Sequence, residues 1–158
     1  MKTLVAGIGN IFNADDGFGV EVAQRLLAVD RPEDVRVEDY GIRGIHLALE
    51  LLEGYDLLVL VDAMARPGEA PGTVFLLEPS VDDIEGEPLD AHRMDPLAVL
   101  GMVADLGGVI GRVLVVGCQP ESLDEGIGLS PAVAAAVEPA VQMVEELIAE
   151  RNIRCSVA

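Results

Sequence analysis

The sequence predicts an α/β protein: a three-layer α/β/α sandwich on a mostly parallel twisted sheet with one antiparallel or edge strand. Three observations predict it. The chain opens MKTLVAGIGNIFNADDGFGV, a short apolar run that stops at Gly7 and Gly9 and restarts as a helix, which is how the first βα unit of such a domain reads. Two further runs, DLLVLV at 56–61 and RVLVVG at 112–117, are apolar almost throughout, as parallel strands covered on both faces are. Amphipathic stretches alternate with them, giving the order β-α-β-α-β-β-α-β-α. With right-handed crossovers, the ligand crevice falls at the carboxyl ends of the strands, where the order reverses beside the first strand.

Taken in order, Lys2 to Ile8 is the first strand and Gly17 to Val29 the first helix, with Val20, Val22, Ala23, Leu26 and Leu27 on its apolar side. Val35 and Val37 alternate with charged residues in DVRVEDY, a half-exposed second strand near the sheet edge. The turn Gly41 to Gly44 leads into a second helix around Ile45 to Glu53, and Asp56 to Val61 is a central strand that ends in Asp62. Thr73 to Leu77 is a fourth strand, antiparallel or at an edge because too few residues precede it for a helical crossover. Ser80 to Asp90 reads as an acidic surface loop. A third helix, Pro96 to Leu106, follows Asp95 as its cap and stops at Gly107-Gly108. After the strand Arg112 to Gly117, Ser130-Pro131 opens the last helix as N-cap and first-turn proline. Pro139 inside that helix predicts a kink or break near Glu138.

At 158 residues the chain reads as one domain, 1–158, large enough to bury roughly 70% of its unfolded surface without staples. Its formal charge of −18, with 28 acidic against 10 basic residues, disfavours phosphate backbones and anionic membranes as partners and suits a cationic partner or a metal. Two cysteines without CxxC spacing, and an opening that runs straight into a glycine turn, lead us to expect a cytoplasmic protein with neither secretory leader nor disulfide framework. No apolar run is long enough to span a bilayer as a helix. We expect a monomer.

Among motifs, Gly7-Ile8-Gly9 invites a dinucleotide reading, but the third glycine of GxGxxG would fall on Phe12. GxxxxGK[ST], HExxH and GxSxG are absent. What remains is Asp16 in the loop after the first strand, Asp62 closing the third, and His92 in the loop before the third helix. In a 2-1-3 strand order the two carboxylates share one crevice. Two carboxylates and an imidazole suit a divalent first-row metal with positions left open for substrate. Each also has a plainer reading: Asp16 as a partner of the helix dipole, Asp62 as a loop cap, His92 as a surface histidine. His46 reads as a surface or packing residue, Cys118 as a small buried strand residue and Cys155 as inert.

GIGNIFNADDGFGV, the VDA that ends the third strand, a His before the third helix, and GCQPESLDEGIGLSPAVAAAV together resemble the [NiFe]-hydrogenase maturation endopeptidases, over nearly the whole chain. The resemblance implies a protease that removes the C-terminal extension from the precursor of the hydrogenase large subunit once nickel has been loaded. It also implies that Asp16, Asp62 and His92 are the catalytic, nickel-contacting residues, and that the nickel belongs to the substrate and is not held permanently. Where relatives commonly read DGGT, this chain has Asp39-Tyr40-Gly41-Ile42, a departure that bears on which hydrogenase is processed. The family commonly carries an aliphatic residue where Cys118 stands. In this reading Gly17 and Gly19 leave room for a bulky substrate tail, and Asp16, not Asp15, is the residue that matters. The alternatives are a non-catalytic nickel-binding chaperone or insertion factor with the same ligands, and, less well supported, a nucleotide-binding enzyme on a similar scaffold.

Overall fold

The computed structural model describes residues 1–80 and 96–151. Five strands form one sheet in the order β2-β1-β3-β5-β4: β1 (Thr3–Ile8), β2 (Val35–Gly41), β3 (Leu57–Ala63), β4 (Val74–Leu77) and β5 (Arg112–Cys118). The helices are α1 (Phe18–Leu27), α2 (Gly44–Leu51), α3 (Pro96–Asp105) and α4 (Pro131–Glu150). The pairs β1/β2, β1/β3 and β3/β5 are parallel, and β4 runs antiparallel to β5 at the edge. The short loop between β3 and β4 forces that direction, as expected, since a parallel return needs a crossover of a dozen or more residues.

The apolar runs are continuous because the pleat sends alternate residues into two separate cores. Val5, Val59, Val61, Leu114 and Val116 pack against α1 and α4. Leu4, Ala6, Leu58, Leu60 and Val115 pack against α2 and α3. At β2 the pleat is interrupted: Gly7 pairs with Asp39 and Ile8 with Gly41, which leaves Tyr40 as an extra residue. That bulge turns the Tyr40 side chain into the α2/α3 core, where it is 2% exposed.

Two expectations fail here. Helix α4 runs through Pro139 as one segment, without the predicted break. The residues around the proline, Ala136, Val137 and Ala140, are buried in the α1/α4 core, and packing on both sides holds the helix across the missing N–H. Gly19 gives no room to a substrate. A Cβ there would lie 2.2 Å from the Val61 carbonyl oxygen and 2.3 Å from that of Ile8. At Gly7 it would lie 2.3 Å from the Gly19 carbonyl oxygen and 2.6 Å from the Ala23 Cβ. Gly17 likewise faces Ile11, 3.3 Å from its Cα. Gly7 and Gly19 let the start of α1 rest directly on β1 and β3, which places the turn before α1 over the carboxyl end of β3. The expected capping by Asp95 falls outside the described residues.

Gly19→Ala must push α1 off the sheet, because the obstructing atoms are backbone. We expect a loss of about 1–3 kcal/mol, read as a lower urea midpoint with unchanged slope. Gly54→Ala, where a Cβ meets nothing within 4 Å and only the φ of +85° opposes it, should cost less.

Candidate active site

After β1 the chain turns at Gly9 (φ +140°), where a Cβ would lie 1.9 Å from the Asp16 carbonyl oxygen, so only glycine permits the return. The Asn10 side chain accepts from the Phe12 N–H at 2.9 Å, and a short 3-10 turn, Ala14–Gly17, then delivers the chain into α1. Within that turn the adjacent carboxylates divide their roles. Asp16 is half-buried and its Oδ2 accepts from the Asn10 N–H at 2.9 Å. Asp15 is completely buried.

Asp15 is the residue the sequence reading missed. Its Oδ2 accepts from the N–H groups of Glu121 (2.8 Å) and Ser122 (3.1 Å) and from the Ser130 hydroxyl (2.9 Å). Its Oδ1 accepts from the Ser130 N–H at 2.7 Å. Burial alone would raise its pKa, but the backbone N–H groups of Ser130, Ser122 and Glu121, with the Ser130 hydroxyl, outweigh burial and hold the carboxyl below the ordinary aspartate range. Ser130 does sit at the N-cap of α4 with Pro131 in the first turn, yet it makes no side-chain cap bond to the helix; its hydroxyl serves Asp15 instead. Backbone bonds reinforce the join: the Asp15 N–H donates to the Ser122 carbonyl (3.1 Å), Ala14 to Gly126 (2.8 Å) and Gly126 to Phe12 (2.8 Å). The loop after β1 and the loop before α4 are thereby one rigid unit. The only local sign of this in the sequence is the doubled aspartate, because its partners lie 106 to 115 residues away.

Asp62 is the penultimate residue of β3, opposite Gly117 of β5, and is 6% exposed. The alternation of β3 sends it to the α2/α3 side of the sheet. The 3-10 turn that carries Asp16 packs against β3, so Asp16 and Asp62 come from the same end of two neighbouring strands. His92 lies outside the described residues, and the described residues alone form no cluster of three metal-ligating side chains.

The remaining candidates take structural places. Cys118 is fully buried in the α1/α4 core. Burial and then the nearby Asp15 charge push its thiol up to about 11, against a smaller opposing effect of the Gly72 N–H, so at neutral pH it is a packed thiol and not a nucleophilic thiolate. His46 is exposed on α2. Cys155 lies outside the described residues. No described helix is long and apolar enough to cross a membrane.

Comparison with known proteins agrees with this architecture. The chain belongs to the hydrogenase maturation protease family, whose model matches residues 20–147. It is 32% identical over 155 residues to the hydrogenase 2 maturation protease of Escherichia coli K12, covering 97% of this chain and 94% of that one. It is 35% identical over 154 residues to the hydrogenase expression/formation protein HoxM of Azotobacter vinelandii, covering 95% and 73%. Among solved structures, the hydrogenase maturating endopeptidase HybD of E. coli superimposes with a TM-score of 0.78 at 32% identity, over 96% of this chain and 93% of that one. The HybD maturation protease of Thermococcus kodakarensis superimposes with a TM-score of 0.71 at 26% identity, over 93% and 99%. The chain is therefore a protease of hydrogenase maturation on a five-stranded α/β fold.

Asp15→Ala strands three amides and a hydroxyl, and should lower stability by about 3 kcal/mol at neutral pH. Because the folded pKa lies below the unfolded value of about 3.9, this carboxylate contributes its full stabilisation above that value and loses it as pH falls through the folded pKa. Urea unfolding followed from pH 7 to pH 2 should show a steep acid decline in the unaltered protein and a shallower one in Asp15→Ala.

Proposed function

We propose that the protein is an endopeptidase that removes the C-terminal extension from the nickel-loaded precursor of a [NiFe]-hydrogenase large subunit, and that Asp16, Asp62 and His92 read the nickel carried by that substrate. The observation that carries this reading is the pair of carboxylates at the carboxyl ends of adjacent strands, Asp16 on the turn after β1 and Asp62 at the end of β3. Family membership adds the reaction class. His92 stands a few residues before Pro96 in the sequence, where α3 begins on the side of the sheet to which Asp62 is directed.

The donor set fits the task. Hard carboxylate oxygens and one imidazole suit a divalent first-row ion that brings its own ligands from the substrate and needs only its open positions filled. With the nickel gripped from the protease side, the scissile bond in the following segment is held at a fixed place in the crevice. A freely diffusing encounter thereby becomes an oriented one, an effect that can supply about 7–11 kcal/mol of a barrier. Hydrolysis then consumes one water, releasing the extension as a free amine and the mature subunit as a carboxylate. Asp15, bonded on both oxygens, is reserved for holding the loop and takes no part in the chemistry.

Single Asp16→Ala, Asp62→Ala and His92→Ala variants should each slow processing by about two orders of magnitude or more. Incubation with nickel-loaded and nickel-free precursor, followed by mass measurement of the large subunit, reads this directly. The unaltered protein should shorten only the nickel-loaded form, and normal processing by all three variants would overturn the assignment. Metal uptake by the isolated protein with no change in precursor length would point to a chaperone instead.

A further inference from the structure

Beside Asp16 lies a cavity of about 310 Å³ that the proposed chemistry does not use. It opens at the carboxyl ends of β1 and β2, between Gly9–Phe12 and Asp39–Arg43. Its rim carries large apolar side chains in contact with solvent: Ile11 is 46% exposed, Phe12 61% and Ile42 63%. What sets these apart from other exposed apolar residues is that they lie together around a concavity, as the lining of a binding groove does. The floor is rigid. Gly9 N–H donates to the Gly41 carbonyl at 2.9 Å, and the Tyr40 bulge anchors the far wall in the core.

The cavity and the carboxylate site are mechanically one. Asn10 lines the cavity, and its N–H is the group that holds Asp16 Oδ2. Whatever fills the cavity is therefore fixed with respect to Asp16. Two features describe the occupant. Among the described residues β2 pairs only with β1 and is the outer strand of the sheet, and an outer strand edge suits an extended chain. Arg43 stands at the same opening, its guanidinium stacked on the Tyr40 ring (5.7 Å) and oriented by donation to the Asp39 and Tyr40 carbonyls. That leaves a directed cation, in a chain of formal charge −18, to donate to a peptide carbonyl.

We propose that this cavity is a specificity pocket, which takes an apolar side chain from the extended segment of precursor polypeptide flanking the cleavage point, with Phe12 and Ile42 as its selecting residues. The assignment rests on the endopeptidase reading above. It gives the Asp39-Tyr40-Gly41-Ile42 segment a role: Tyr40 shapes the wall and Ile42 supplies the apolar lip.

The test is steady-state cleavage of nickel-loaded precursor by Phe12→Ser and Ile42→Ser, exposed positions whose replacement leaves the core intact, with thermal unfolding as the check on folding. KM should rise about tenfold or more while kcat stays within about threefold. Precursors in which each apolar residue flanking the cleavage point is changed to Ser should include one that reproduces the rise with the unaltered protease and adds little to it with Ile42→Ser. An unchanged KM in folded variants, with the unaltered protease active, overturns the pocket and leaves the endopeptidase reading standing. No cleavage by the unaltered protease overturns both. If sedimentation shows a dimer that Phe12→Ser and Ile42→Ser dissociate without changing KM, the patch is a contact between copies of this chain and the pocket assignment falls.

Discussion

The carboxylate of Asp15 is the interaction on which the working end of the molecule depends. Four hydrogen bonds converge on it from a loop more than a hundred residues away. A buried charge is tolerable only when so surrounded, and once surrounded it is hard to displace. Its effect is positional. The loop after β1 would otherwise be a glycine-rich turn with a positive-φ residue at Ala14 (φ 49°), a conformation that an alanine does not hold unaided. Pinned to Ser122, Gly126 and Ser130, that loop becomes a fixed platform, and Asp16, the next residue, is presented from it.

A second constraint acts from below. Because Gly7, Gly19 and Ala23 carry little or no side chain, α1 lies against β1 and β3 at backbone distance. The turn carrying the two aspartates is thus clamped between the sheet beneath and the loop before α4 beside it. Both clamps are built from small or buried groups, and the side chains of Asp16, Phe12 and Ile42 lie on the open side of the turn and of the neighbouring loop. Buried support and exposed rim are thus separated in space.

The fold was legible in the sequence because its signals are local. Continuous apolar runs marked β3 and β5 as covered on both faces, the alternation of DVRVEDY marked β2 as an edge, and the short loop before β4 fixed its direction. The misreadings have a common cause. Pro139 is a helix breaker in isolation, but its neighbours are buried against α1 and the sheet, and tertiary packing overrides the local preference. Ser130 is the N-cap residue followed by a first-turn proline, as read, and only the destination of its hydroxyl, a buried carboxylate from the other end of the chain, was hidden. Gly19 reads as open space in a sequence and is a backbone-to-backbone contact in the fold. In each case the deciding partner is distant along the chain.

The pair Asp15-Asp16 shows most clearly where sequence reasoning stops. Two identical residues in succession carry the same propensity and charge and differ by only one position in spacing, so composition cannot rank them. What separates them is direction: consecutive residues in a tight turn project to different sides, and one side here is packed interior while the other is partly open. The inward residue must then be satisfied by the protein alone, and its depressed pKa records that it is. The outward one accepts a single backbone bond and keeps acceptor capacity for a ligand. The two carboxylates therefore differ in surroundings: the first is bonded by four donors from the loop before α4 and joins two loops, and the second sits in the turn that this join holds. The first aspartate thus fixes the turn from which the second is presented.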